Sequence, residues 1–344
     1  MKHIFCYCFF AAMAVISLSS CEHDEPGNLI KPVEERTVLV LTTEGDIYNQ
    51  KGELVTHLPY CIFASEIIAD GDDYFVAGVQ SKGREGYWKN GKWNTLHVDF
   101  VDDVDHWVSG IGKWDYHIYL LDMPNVLKNS GIFRLEDADI FMPADHGLRV
   151  SEGKCYVIGS GLTGDETRYD PVLYTSHKDK FKKEFLPLPE GARSGECKAI
   201  YVSNRDHTVI GGIIDRLPAV WIDKQCLTYP VSCPELLDEG NYDVGRIVAI
   251  TECASHIHAA GFEYGADGFL VATVWTDGIP VHYVADEDNS DDSQAIDIYS
   301  YGDDVYLLTR EYHADLGQYQ IHLWMNGKVI TSYPEIEAAG FTVL

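Results

Sequence analysis

Residues 87–93, Tyr-Trp-Lys-Asn-Gly-Lys-Trp, decide the fold. Asn90-Gly91 marks a two-residue hairpin turn, since the favoured hairpin geometry needs positive φ at both central positions. The turn joins two short strands, the first of them led by Trp88. The signal returns at 274–280 (VWTDGIP) around Asp277-Gly278 and at 323–329 (LWMNGKV) around Asn326-Gly327. Weaker copies stand at 132–138 (IFRLEDA), 172–180 (VLYTSHKDK) and 220–226 (VWIDKQC).

A second short apolar strand precedes each copy: DDYFVAG at 72–78, DYHIYLLD at 115–122, GKCYVIGS at 153–160, DHTVIGGI at 206–213, SHIHAAGF at 255–262 and DDVYLLTR at 303–310. A third apolar run lies further upstream, as in FASEIIAD at 63–70 and VGRIVAITE at 244–252. With Trp88, Phe133, Tyr174, Trp221, Trp275 and Trp324 as the aromatic heads, the spacings are 45, 41, 47, 54 and 49 residues. The unit is four short strands, and the absence of a helical apolar period between them excludes a βαβ layout. A seventh unit is split: 36–43 and 46–55 hold three strands with Tyr48 in the aromatic position, and 338–344 (AAGFTVL) is the missing first strand. Residues 37–344 number 308, and 308/7 is 44, the size of one propeller blade. The sequence predicts an all-β fold: a β-propeller of seven four-stranded blades closed by strands from both chain ends. Six blades with an appended hairpin is the alternative.

The repeats resemble those of β-propeller lipoproteins of Bacteroidota, which carry a "vYvaG … WKNGK" consensus. Trp88-Lys89-Asn90-Gly91-Lys92 and Trp324-Met325-Asn326-Gly327-Lys328 match it closely, while the middle repeats are degenerate. The resemblance covers nearly all of the mature chain. It implies a fold and an envelope address, and no chemistry.

The address is also written at the N-terminus. Lys2 and His3 precede an apolar run at 4–18, then Ser19-Ser20-Cys21. This is the layout of a secretory signal peptide, too short for a spanning helix. Leu18-Ser19-Ser20-Cys21 resembles a bacterial lipobox, which implies lipidation of Cys21 and membrane attachment through that lipid. Glu22, Asp24 and Glu25 look like an export signal to the cell surface, and also serve as a plain soluble spacer. The expected organisation is 1–20 signal peptide, 21–36 lipidated cysteine and tether, and 37–344 a single propeller domain, at the outer membrane, with display on the cell surface as a further expectation.

The chain has 344 residues and a formal net charge of −28, from 26 Lys+Arg against 54 Asp+Glu. That balance excludes nucleic acid as the main partner, which needs cationic patches. Cys61, Cys155, Cys197, Cys226, Cys233 and Cys253 remain after the leader. They permit disulfides of open pairing or serve as small buried thiols.

Catalytic signatures such as H-E-x-x-H, G-x-S-x-G, the P-loop and the dinucleotide fingerprint are absent. The sequence therefore assigns no catalytic residue, no cofactor and no metal site. His256 and His258 share a strand face, half of a ligand set at best, and fit strand packing equally. The acidic stretch 286–292 has the oxygen density Ca²⁺ favours but lacks an EF-type turn glycine. Loops between second and third strands, at 79–86, 123–131, 160–171, 213–219, 262–268 and 310–318, total 52 residues. An even spread would place about 1.5 of the ten arginines there (10 × 52/344), yet Arg84, Arg168, Arg216 and Arg310 occur. Tyr169, Glu263, Tyr264, Tyr312 and His313 accompany them. Guanidinium forks beside aromatic rings suit an anionic sugar, a carboxylate or a peptide, though surface arginines also neutralise an acidic protein. The leading expectation is a binding module that presents one propeller face to a glycan, peptide or protein. A polysaccharide lyase or hydrolase in the funnel and a structural role in an envelope complex are the alternatives, so enzymatic activity is left open.

Overall fold

The computed structural model of the protein describes residues 36–81, 86–96, 108–129, 131–135, 141–163, 168–177, 180–203, 207–237, 243–286, 290–334 and 336–344. The leader, Cys21, Arg84 and residues 287–289 of the acidic stretch lie outside them. The fold is an all-β propeller. Five sheets have four strands each, and an eight-stranded sheet consists of two four-stranded meanders joined by one parallel bridge between His146 and Ala199. The first strands of the meanders are Ala338–Val343, Cys61–Asp70, Val108–Trp114, Phe141–Ser151, Gly195–Val202, Gly245–Cys253 and Ser290–Tyr301. Each lies against the next, and Ser290–Tyr301 returns to Ala338–Val343, which closes the ring. The closing strand pairs antiparallel with Val38–Thr42, in the register Val38↔Val343 and Val40↔Phe341.

The Asx residue of the hairpin turn carries much of the local order. Asn90, Asn129, Asp223, Asp277 and Asn326 have φ between 45° and 51°, a conformation Asn and Asp tolerate better than other side chains. Their side-chain oxygens accept the backbone N–H of Tyr74, Ile118, Thr208, Ile257 and Val305, each in the second strand or at its start. One residue thus shapes the third-to-fourth-strand turn and pins it to the second strand.

The aromatic heads explain how meanders are joined. Trp88, Trp221 and Trp275 are fully buried, and each packs back onto the preceding meander, as Trp275 does on Val209 and Val220. Their indole N–H groups donate to the carbonyls of Pro59, Pro187 and Pro230 in the preceding connection. The buried indole therefore loses no hydrogen bond and fixes the crossover. Trp324 differs, donating to Thr309 Oγ1 of its own sheet.

The third meander corrects one sequence assignment. Its turn residue is Asn129, so Leu127 occupies the aromatic position, and Phe133 lies on the fourth strand, Gly131–Arg134. The expected nine-residue loop at 123–131 shrinks to residues 123–124, because Asn125–Lys128 is itself a strand. The six cysteines are free thiols. Burial pushes Cys155 and Cys197 well above the ordinary thiol range, which makes them packing groups. Among the described residues no helix is long and apolar enough to cross a membrane.

Candidate functional site

The channel mouth is built by a repeated irregularity. Most first strands carry a β-bulge at the same place: the register slips between Ala64 and Glu66, Val108 and Gly110, Cys197 and Ala199, Ile247 and Ala249, and Ala295 and Asp297. A bulge leaves one residue unpaired and re-aims its side chain. The skipped residues Ser65, Ser109, Lys198, Val248 and Ile296 all line one cavity of about 440 Å³, together with Phe63, His146 and Arg246. The glycine of the second-strand consensus belongs to the same device. A β-carbon on Gly78, Gly212 or Gly261 would lie 2.2, 2.0 or 1.8 Å from the carbonyl oxygen of Phe63, Glu196 or Arg246. The bulged strand presses onto its neighbour there, and only glycine leaves room.

The cavity's charged lining residues are cationic, each with a carboxylate beside it. Lys198 Nζ stands 2.8 Å from Glu196 Oε2, and Arg246 pairs with Asp243 while its buried Nε–H has no hydrogen-bond partner among the described residues. Beneath them sits a network of buried charge. Glu66 accepts from Arg149 Nη1 at 2.6 Å and from the Ile111 N–H at 2.9 Å, with His146 Nδ1 at 3.9 Å. Burial works to raise the Glu66 pKa, but Arg149, His146 and the Ile111 amide outweigh it and hold the carboxyl below its usual range. Burial would lower His146, and the Glu66 and Asp297 carboxylates reverse that to a raised value. Asp297 accepts the backbone N–H groups of Ile298 at 2.8 Å and Phe341 at 3.2 Å. Burial dominates at Asp297 and raises its pKa despite His146 and Arg149. Two carboxyl groups of one channel are thus driven in opposite directions.

First and second strands run antiparallel, with Gly195 opposite Ile214 and Gly245 opposite Glu263. The connections from second to third strands therefore emerge at the cavity's end of the channel. The described sequence candidates on this face divide into four groups. Arg216, in a tight turn at φ 76°, donates to the carbonyls of Leu236 and Leu237 and anchors the connection that follows its meander. Glu263 is fully buried, accepting from Ser232 N–H and Oγ at 2.6 and 2.9 Å with His282 Nε2 at 2.6 Å; it holds the loop before its own meander, and Tyr264 ends that strand half-buried. Arg168 pairs with Asp170 at 3.0 Å beside the exposed Tyr169. Three meanders away, Arg310 stacks over the Tyr319 ring at 4.6 Å and Tyr312 meets that ring edge-on at 5.1 Å. The structure gathers Arg310 and Tyr312 and leaves Arg168 apart. His256 bonds Asp277 and His258 bonds Thr276, so both serve the hairpin.

Sequence reasoning passed over Glu66, Lys198, Arg246 and Asp297. Their signal was present: each is a charged residue inside a first-strand run, where apolar residues alternate with it.

No protein-family profile and no curated protein sequence matches the chain. Among solved structures it is similar to apo AztD from Citrobacter koseri, with TM-score 0.48, 9% identity, and 90% of this chain and 98% of that chain covered. It is also similar to the extracellular domain of the one-component system BT4673 from B. thetaiotaomicron, with TM-score 0.48 and 13% identity. There 86% of this chain covers 39% of that chain. A third similarity is to the α-L-arabinanase of Cellvibrio cellulosa, with TM-score 0.33, 9% identity, and 64% and 93% of the two chains covered. These likenesses carry over no activity and no residue role.

Proposed function

We propose that the protein is an exported, lipid-anchored propeller that binds an anionic ligand, a uronic-acid glycan or a peptide carboxylate, at the channel mouth. One observation carries this reading. In a chain of net charge −28, bulged strands of separate meanders aim Lys198, Arg246 and His146 into one cavity of about 440 Å³, a size suited to small ligands. Phe63 supplies an apolar wall. An entering carboxylate takes over donors now shared with Glu196 and Asp243. The anchor at Cys21 and display on the cell surface belong to the same proposal.

Calorimetry against uronic-acid oligosaccharides and peptides with free C-terminal carboxylates tests it. A charge-assisted hydrogen bond contributes about 1.5–3 kcal/mol, and tenfold in affinity is about 1.4. The pair Lys198→Ala and Arg246→Ala should therefore weaken binding more than tenfold, and added salt should weaken the wild type. If the loss follows Arg168→Ala with Arg310→Ala instead, the site lies on the outer loops.

A second reading rests on the opposed carboxyl groups. Asp297, whose pKa burial raises, and Glu66, whose pKa Arg149 and His146 lower, stand behind the cavity's His146 as a candidate acid and base, the equipment for cleaving a glycan. Turnover of a uronic-acid glycan that Asp297→Asn abolishes would establish the enzyme; tight binding without turnover would dismiss it.

A further inference from the structure

Away from the channel, the last meander gathers three ligating side chains. The strand Asp304–His313 alternates faces, so Thr309, Glu311 and His313 are buried while Arg310 and Tyr312 point the other way. His322, on the strand Gln318–Met325, is buried beside them. His313 Nε2 and His322 Nε2 are 3.5 Å apart, and each lies 3.8 Å from an oxygen of the Glu311 carboxylate. His322 Nδ1 is hydrogen-bonded to Ser332 Oγ at 2.8 Å, which turns Nε2 toward the cluster. The backbone N–H groups of Ala285 and Asp286 donate to Glu311 at 2.8 and 3.0 Å and orient its carboxylate.

The preceding meander shows what the fold alone requires. Counting from the paired positions Ala259–Trp275 and Leu307–Trp324, Glu263 is the counterpart of Glu311. It also binds the loop before its own meander. Gly265 and Thr273 stand where the last meander has His313 and His322. The glutamate caps the loop in both meanders; Glu263 has one half-exposed histidine partner, His282 on its fourth strand, whereas Glu311 has two buried ones on the second and third strands.

We propose that Glu311, His313 and His322 form a binding site for a divalent transition metal, with zinc the fitting ion. Zinc bonds imidazole nitrogen and carboxylate oxygen at about 2.0–2.2 Å, so a tetrahedral centre sets its donors about 3.3 Å apart. The two Nε2 atoms, 3.5 Å apart, are already near that spacing, and His313 and His322 lie 3.8 Å from Glu311 Oε1 and Oε2 respectively, so a small turn of the carboxylate sets it between them. Two imidazoles exclude the hard cations Ca²⁺ and Mg²⁺, which take oxygen ligands. Ser332 and the amides at 285–286 are the outer hydrogen bonds that ligating groups need. Three protein donors leave a fourth position for water or a ligand group.

The test uses the purified mature protein after chelator treatment, titrated with Zn²⁺ by calorimetry and with Co²⁺ by visible absorption. The expected result is one equivalent of Zn²⁺, a raised melting temperature and the intense d–d bands of low-coordinate Co²⁺. His313→Gln and His322→Gln, with native circular dichroism, should each weaken Zn²⁺ binding about a hundredfold, while His282→Gln leaves it unchanged. Wild-type protein that takes up neither metal overturns the proposal without reference to any variant, and so does Zn²⁺ binding that survives both histidine substitutions.

Discussion

Asp297 shows how a single residue links stability to the channel. Its folded pKa lies above the ordinary 3.8, so the folded state holds the proton more tightly than the unfolded chain. Stability therefore falls as pH rises from about 4 through the folded value. His146, raised from 6.5, contributes stability that is complete below that value and is lost as pH rises through the folded pKa. Glu66 acts in the opposite sense: its contribution is present above 4.5 and is lost as pH falls through its lowered value. Asp297→Asn removes the ionisation but keeps the shape. Thermal melts should show the variant more stable than wild type at pH 7, with the gap closing toward pH 4; a constant gap would refute the assignment. Glu66→Gln should destabilise at neutral pH, because Arg149 loses its ionic partner. None of these shifts was legible in the sequence, because they depend on which first strands stand beside one another in the ring.

At the scale of the element, the bulge and the glycine beside it are one unit. Gly261→Ala places a methyl group on the carbonyl of Arg246 and should cost about 1–3 kcal/mol or more. The same substitution should reduce ligand binding, since Arg246 is displaced; a variant that melts like wild type would contradict the packing argument. Much at this scale was readable in advance. Asn90-Gly91 and Asn326-Gly327 announced their hairpins through turn chemistry, and the consensus glycine stood out even though its reason, a carbonyl bearing down from the bulge, needs three dimensions. Leu127 was missed because nothing aromatic marks it, and Phe133 drew the assignment one strand too far. The tail strand Ala338–Val343 makes its own prediction. Deleting 338–344 exposes the edge of Val38–Thr42 and uncovers the first strands packed on either side and should lower the melting temperature by about 10 °C or more, with aggregation. A truncation that melts like the parent would mean the ring does not depend on its closing strand.

Taken whole, the molecule is an acidic ring whose channel mouth is lined by Lys198, Arg246 and His146, and an envelope address belongs to the proposal. The anchor is tested by Cys21→Ala, which should release the protein from membrane fractions or block its processing; unchanged fractionation and processing would remove the lipid from the account. The general layout of the ring was legible because each repeat carries its own turn and strand signals. The site was less so, because a channel collects one residue from each of many repeats, and loop arginines such as Arg168 and Arg310 are more conspicuous in the sequence than a lone Lys198 or Arg246 in an apolar run. The most direct measurement of the central claim is a crystal structure of the protein with a bound uronic-acid oligosaccharide. The account predicts the ligand's carboxylate in the channel mouth, hydrogen-bonded to Lys198 and Arg246. A ligand seated on the outer loops beside Arg168 or Arg310, with the channel mouth free of it, would contradict the account.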